Sequence, residues 1–119
     1  MSLLNQGKPS RMRSVYGHNT GTTVGVVYTC PPNCIAEVTF IHVVNGGGST
    51  NTVDVEWYVA ADTYTSHFLS AKSLGAGDYI SFNEIDLILQ AGDKIQVHPT
   101  GAGHIDSIVT VTETFVPVG

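Results

Sequence analysis

The chain has 119 residues, enough for one domain with a real core of its own. Hydrophobic residues make up 42% and charged residues only 13%, against a usual ~25%, and Thr, Ser, Gly and Asn fill the gap, which is a β-rich makeup rather than a helical one. Net charge is −5, but Lys8, Arg11 and Arg13 lead the chain, and from residue 14 onward two bases face ten acids, which argues against a nucleic-acid groove on the body.

Residues 1–21 are polar and basic, carry Gly7, Pro9, Gly17 and Gly21, and show no sustained period. They are expected to form an extended N-terminal arm ahead of a domain spanning 22–119. "MSLLNQGKPSRMRS" has no apolar core of a secretory signal, and no stretch approaches the ~20 apolar residues of a membrane span. The expectation is a chain made in a cytoplasm, soluble and without a membrane partner.

Beyond the arm, alternation of period two takes over. Val24, Val26 and Tyr28 share one face of a first strand. "IAEVTFIHVV" follows, with Ala36, Val38, Phe40 and Val44 on one side and Ile41 and Val43 on the other; His42 shares the parity of Val38 and Phe40 and reads as a hydrogen-bonded core residue. "NGGGST" is a flexible loop. Val53, Val55, Trp57 and Val59 point inward on the next strand, with Asp54, Glu56 and Tyr58 outward. "YTSHFLS" gives a short strand, "DYISFNEIDLIL" one bent strand or two, and "KIQVH" another. The last, "IDSIVTVTETF", puts Ile105, Val109, Val111 and Phe115 on one face. Seven or eight such strands suit an all-β, antiparallel β-sandwich of Greek-key or jelly-roll type, with a small closed barrel as the other solution.

Ala-Gly-Asp occurs twice before a strand, at 76–78 and 91–93. Gly77 and Gly92 can supply positive φ, and Asp78 and Asp93 can accept from nearby backbone N–H groups. No further acids cluster there at calcium-ligand spacing.

Chemistry finds few carriers. Cys30 and Cys34 bracket "PPN". Their spacing is not that of a zinc pair or of a redox motif on a helix N-terminus. Three states stay open: turn-lining thiols, a local disulfide stabilising by about 2 kcal/mol in the chain-entropy model, or a reactive or metal-bound pair. Cys34 shares the parity of Val38, so it is expected to point inward. His18, His42, His67, His98 and His104 show no ligand spacing, although His98 and His104 flank "PTGAG" and can meet across it. Asp54 and Glu56 share a strand face at the ~6.5–7 Å spacing that suits a glycosidase pair, but outer-face acids are common on strands. Tyr58, Tyr64 and Tyr79 are candidates for stacking on a sugar. No nucleophile elbow, zinc-protease motif or phosphate loop is present. The expectation is a protein that is not an enzyme, with no catalytic, metal-binding or cofactor-binding residues.

The order of the pieces resembles a group of small tailed-phage virion proteins. The resemblance rests on Tyr28-Thr29, Pro31, Ile41-His42-Val43, Asp54-Val55-Glu56-Trp57 and Leu89 to Val97, and covers roughly residues 22–115. It implies a non-enzymatic capsid decoration (cement) protein, or else a tail or neck accessory protein; a carbohydrate-binding module of a tail is the competing class. In that pattern the turn carries apolar residues or glycine where this chain has Cys30 and Cys34, so a disulfide is no family property. On this reading the location is the virion, the partner is the major capsid protein, and a homo-oligomer, favourably a trimer, bridges coat subunits. The arm would cross a neighbouring subunit, with Lys8, Arg11 and Arg13 pairing with acids and Leu3, Leu4, Met12, Val15 and Tyr16 as apolar anchors.

Overall fold

Among the residues that the computed structural model describes, 9–116, eight strands follow one another: β1 (Ser10–Asn19), β2 (Gly25–Thr29), β3 (Cys34–Asn45), β4 (Asn51–Val59), β5 (Tyr64–Leu74), β6 (Tyr79–Leu89), β7 (Lys94–Pro99) and β8 (Ile105–Phe115). A single 3-10 turn, Ala60–Asp62, links β4 to β5. The strands form two four-stranded antiparallel sheets, ordered β1-β8-β3-β6 and β2-β7-β4-β5. This is the order of an eight-stranded jelly roll, so the sandwich expected from alternation is the fold.

The core lies between the sheets. Val38, Ile41, Val43, Val53, Val55, Ile95, Val97, Ile105, Val109 and Val111 are wholly buried. β-branched side chains dominate because they are stiff at χ1 and pack well on a pleated surface. Each contributes about 1.5–3 kcal/mol of burial. Phe68 and Phe82 meet edge to face at 5.0 Å where β5 faces β6, and seal one open side of the sandwich.

Residues 10–19 differ from the expected arm. They are extended, but as β1, paired along their whole length with β8 from Ser10–Thr114 to Asn19–Ile105. The sandwich therefore begins at residue 10, not 22. Strand character is hard to read there because β1 is an edge strand whose inward positions are Arg11, Arg13, Val15, Gly17 and Asn19. Only Val15 is a large apolar group. Gly17 leaves room where β1 approaches β2, since a Cβ there would stand a tight 3.1 Å from a Val27 methyl.

Two bulges overturn the expected faces of β2 and β3. In β2 the register slips between Val26 and Tyr28. Val27 and Tyr28 are both buried, and Val26 is exposed. In β3 it slips between Val38 and Phe40, where Thr39 is the extra residue against β8. Ala36 and Val38 point inward before it, and Ile41, Val43 and Asn45 after it. Phe40, His42 and Val44 are thus sent to the outer face, and His42 is no core residue. A bulge changes parity by one, and no local pattern of apolar residues announces it.

Candidate functional site

The outward face of the β1-β8-β3-β6 sheet carries several large apolar side chains among polar ones. Cross-strand pairing sets its rows: Tyr16 beside Ile108, then His42, then Ser81; Ser14 beside Thr110, Phe40 and Asn83; Met12 beside Thr112, Glu37 and Ile88. Met12 is 72% and Tyr16 82% exposed, and Tyr79, Ile88 and Ile108 are exposed as well. Phe40 and His42 stack at 6.1 Å between ring centres, and His42 meets Tyr79 at 5.2 Å. The His42 Nδ1 and Ser81 Oγ share a hydrogen bond at 2.6 Å, which fixes the ring in that stack. At one end of this face Asp106 receives His18 Nδ1 at 2.5 Å and His104 Nε2 at 3.2 Å. The hydrogen bond to His18 is the main reason its carboxyl sits below the usual range, partial burial opposing it.

At the opposite end of β1 the chain builds a polar network around Glu113, whose side chain is 4% exposed. Tyr28 donates its hydroxyl to Oε2 at 2.5 Å, Arg11 donates Nε to Oε1 at 2.8 Å, and Arg13 Nη1 stands 3.5 Å from Oε2. Burial alone would push the carboxyl up. The Tyr28 and Arg11 hydrogen bonds and the two guanidinium charges outweigh it, and Glu113 is held below the usual carboxylate range. Burial and the neighbouring carboxylate together raise Tyr28, which stays a neutral donor. Beside this network a cleft of about 360 Å³ is lined by Pro9, Ser10, Arg11, Pro31, Cys34, Glu113 and Phe115.

The cysteine turn forms one wall of this corner. Asn33 takes a left-handed φ of 61°, which Asn tolerates, after the two prolines. Cys30 N donates to Asp93 O at 2.9 Å and Gly92 N to Cys30 O at 3.0 Å, so this turn is stitched to the second Ala-Gly-Asp turn. Both cysteines are free thiols in this structure. Cys30 is buried, and desolvation leads the effects that push its thiol up to about 11. Cys34, expected inward, is half-buried and reaches the cleft.

The expected partner-binding residues divide by strand parity. Leu3, Leu4 and Lys8 lie outside the described residues. Met12 and Tyr16 stand on the outer face. Val15 packs against the core. Arg11 and Arg13, expected to meet acids of another subunit, are engaged by Glu113 of their own chain. Glu113 itself carries a sequence signal, since it shares parity with Ile105, Val109 and Val111, but a charged residue at that position does not read as buried. Trp57 packs on the core and donates Nε1 to Asp93 at 3.2 Å. Tyr64 is exposed and lies on the β2-β7-β4-β5 sheet, apart from Tyr79. Tyr58 is covered by Lys94, whose Nζ is 5.2 Å from the ring centre. His98 and His104 do not meet: His98 lies beside Glu56 and His104 beside Asp106.

The sequence matches no known family model and no curated protein. Solved structures share the fold. A chain from Bacillus endospore appendages, described as a family of disulfide-linked pili, superposes with a TM-score of 0.58 at 14% identity, over 96% of this chain and 95% of that one. A chain from the acid-stable capsid of the Helicobacter pylori bacteriophage KHP30 does so with 0.57 at 13%, over 95% and 97%. At such identities the likeness is one of fold.

Proposed function

We propose that this chain is a non-enzymatic structural subunit of a phage virion, a decoration (cement) protein that lays the outer face of its β1-β8-β3-β6 sheet against the major capsid protein. The observation that carries the reading is that face. Large apolar side chains gathered in water on one face, rather than scattered singly, mark an interface. Tyr and Met are enriched in interface cores, and Tyr16 and Met12 project furthest. A jelly roll of nearly the same length in a phage capsid supports the class of protein, and the order of sequence motifs supports the decoration role. The fold needs no catalytic machinery for this task, and buried area supplied from outside the coat adds stability without altering the coat fold. Bridging several coat subunits favours a closed ring, a trimer in the simplest case.

A second reading has one observation in its favour. Cys34 is a half-buried free thiol at the cleft where the chain enters β1, and a chain of similar fold belongs to a family of disulfide-linked pili. A self-assembling fibre cross-linked through Cys34 is that alternative.

The test uses capsids of the parent phage stripped of the protein, with Tyr16→Glu and Met12→Glu variants. Both side chains are outside the core, so melting temperature stays within a few degrees. Binding to capsids is expected to fall by about tenfold or more for Tyr16→Glu, as for an aromatic anchor. Unchanged binding by both variants refutes the assignment of this face. Fibres that appear under oxidising conditions and vanish with Cys34→Ser establish the second reading instead.

A further inference from the structure

The β2-β7-β4-β5 sheet also has an outer face, and at its centre stands Glu56. Strand parity turns it toward solvent, yet its side chain is only 7% exposed, because the neighbouring strands close over it. Gln96 of β7 donates Nε2 to Oε1 at 3.1 Å. The other oxygen, Oε2, has no hydrogen-bond donor among the described residues. It faces His67 Nε2 of β5 at 3.5 Å and His98 Nδ1 of β7 at 3.7 Å. Asp54, two residues back on β4, places Oδ2 3.8 Å from His67 Nε2, while its Oδ1 accepts from Ala71 N at 2.6 Å. Donor atoms of Asp54, Glu56 and His98 fall within 4.8 Å of one another.

These separations are informative because they fit one kind of contact better than another. Hydrogen bonds from ring nitrogens to carboxylates run at about 2.7–3.2 Å. On the other sheet, His18 and His104 make such bonds to Asp106, and that cluster satisfies itself. Around Glu56 the nitrogens and oxygens stand further apart. Two ligands of one zinc ion, with bonds of about 2.1 Å in a tetrahedron, lie roughly 3.4 Å apart. His98 Nδ1 and Glu56 Oε2, 3.7 Å apart, need only a few tenths of an ångström of closure. A carboxylate that is more than nine-tenths buried, with one oxygen bound by Gln96 and the other turned toward an imidazole and a second carboxylate, is well placed to share a cation with them.

The geometry points to a divalent transition-metal site made by Asp54, Glu56 and His98, with His67 standing beside the two carboxylates. An imidazole joined to two carboxylates suits zinc, cobalt or nickel over calcium and magnesium, which take oxygen sets. Gln96 and the Ala71 N–H orient the two carboxylates from behind. The ligands come from β4 and β7, so the ion ties these two neighbouring strands together.

The test is titration of tag-free full-length protein with cobalt(II), followed through its visible d–d absorption near neutral pH, then displacement by zinc and metal analysis after gel filtration. One equivalent per chain is expected, with a rise in melting temperature that EDTA reverses. His98→Ala, at a half-exposed position, should fold as the parent does without metal and lose affinity by about tenfold or more. His104→Ala should bind as the parent does. Absence of uptake at sub-millimolar zinc overturns the proposal, and so does uptake that His98→Ala leaves intact.

Discussion

Removing the Glu113 carboxylate would leave the Tyr28 hydroxyl buried without an acceptor and set two guanidinium groups side by side with no acid between them. The Arg11 side chain is largely in water, so its pairing contributes little to stability. The cost falls on the buried hydrogen bond, where an orphaned polar group is worth about 1–3 kcal/mol. Glu113→Ala is therefore expected to destabilise by about 2 kcal/mol in a urea titration at neutral pH, and Glu113→Gln by less, because its amide oxygen still accepts from Tyr28. A midpoint unchanged by either substitution removes the network from the account of stability. Alkali acts on the same corner. Cys30 is raised from 9.0 to about 11, so its contribution is complete below 9 and disappears as pH climbs through 11. Little of this was legible in the sequence: alternation along the last strand places Glu113 on an inward position, but its charge argues the other way until Arg11 and Arg13, from a stretch with no period, are seen to pair with it.

At the scale of elements, the two Ala-Gly-Asp turns show how one local sequence acquires two values. Both behave as expected in backbone terms. Gly77 and Gly92 have φ of 80° and 90°, and each Asp accepts from the N–H three residues earlier. Asp78 does no more than this, at an exposed site. Asp93 is buried and also accepts from Trp57 Nε1 and Ala60 N, joining its turn to the end of β4. Asp93→Ala strands three part-buried donors, Trp57 Nε1, Ala60 N and Gln90 N, and is expected to cost about 3 kcal/mol. Asp78→Ala should cost under about 1 kcal/mol, by thermal melts of the two variants side by side. Equal losses would mean that the turn, not its tertiary contacts, sets the energy. Alternation revealed β4, β7 and most of β8 because each keeps one face buried without interruption. It misread β2 and β3, where bulges shift the pattern midway, and missed β1, whose inward side is mostly polar.

For the whole molecule, strand pairing is dominated by distant partners. The first and last strands lie side by side, and β3 sits between β6 and β8. Such an order cannot be read from local patterns, because any half-buried strand offers the same ladder to several others; the fold class was legible and the pairing was not. The pairing also changes what truncation means. Deleting residues 2–16 removes most of β1, bares the edge of β8 and deprives Glu113 of both arginines. That variant is expected to be poorly soluble or to melt at least ~10 °C lower, a shift that about 2 kcal/mol or more produces in a small domain. Loss of capsid binding in it would report unfolding rather than docking. Native melting of the truncated chain would show that β1 is dispensable.

β1 is held to β8 by side chains at both of its ends: Arg11 and Arg13 on Glu113 at one, His18 on Asp106 at the other. Both clasps close on carboxylates that are more acidic than usual in the folded chain. Their contribution is therefore complete above the ordinary carboxylate range near pH 4, and is lost as pH falls through the still lower folded values. Acid undoes the two clasps together, with the core untouched. The edge strand β1 is then the first to peel, so strong acid frees one edge of the β1-β8-β3-β6 sheet before it acts as a denaturant.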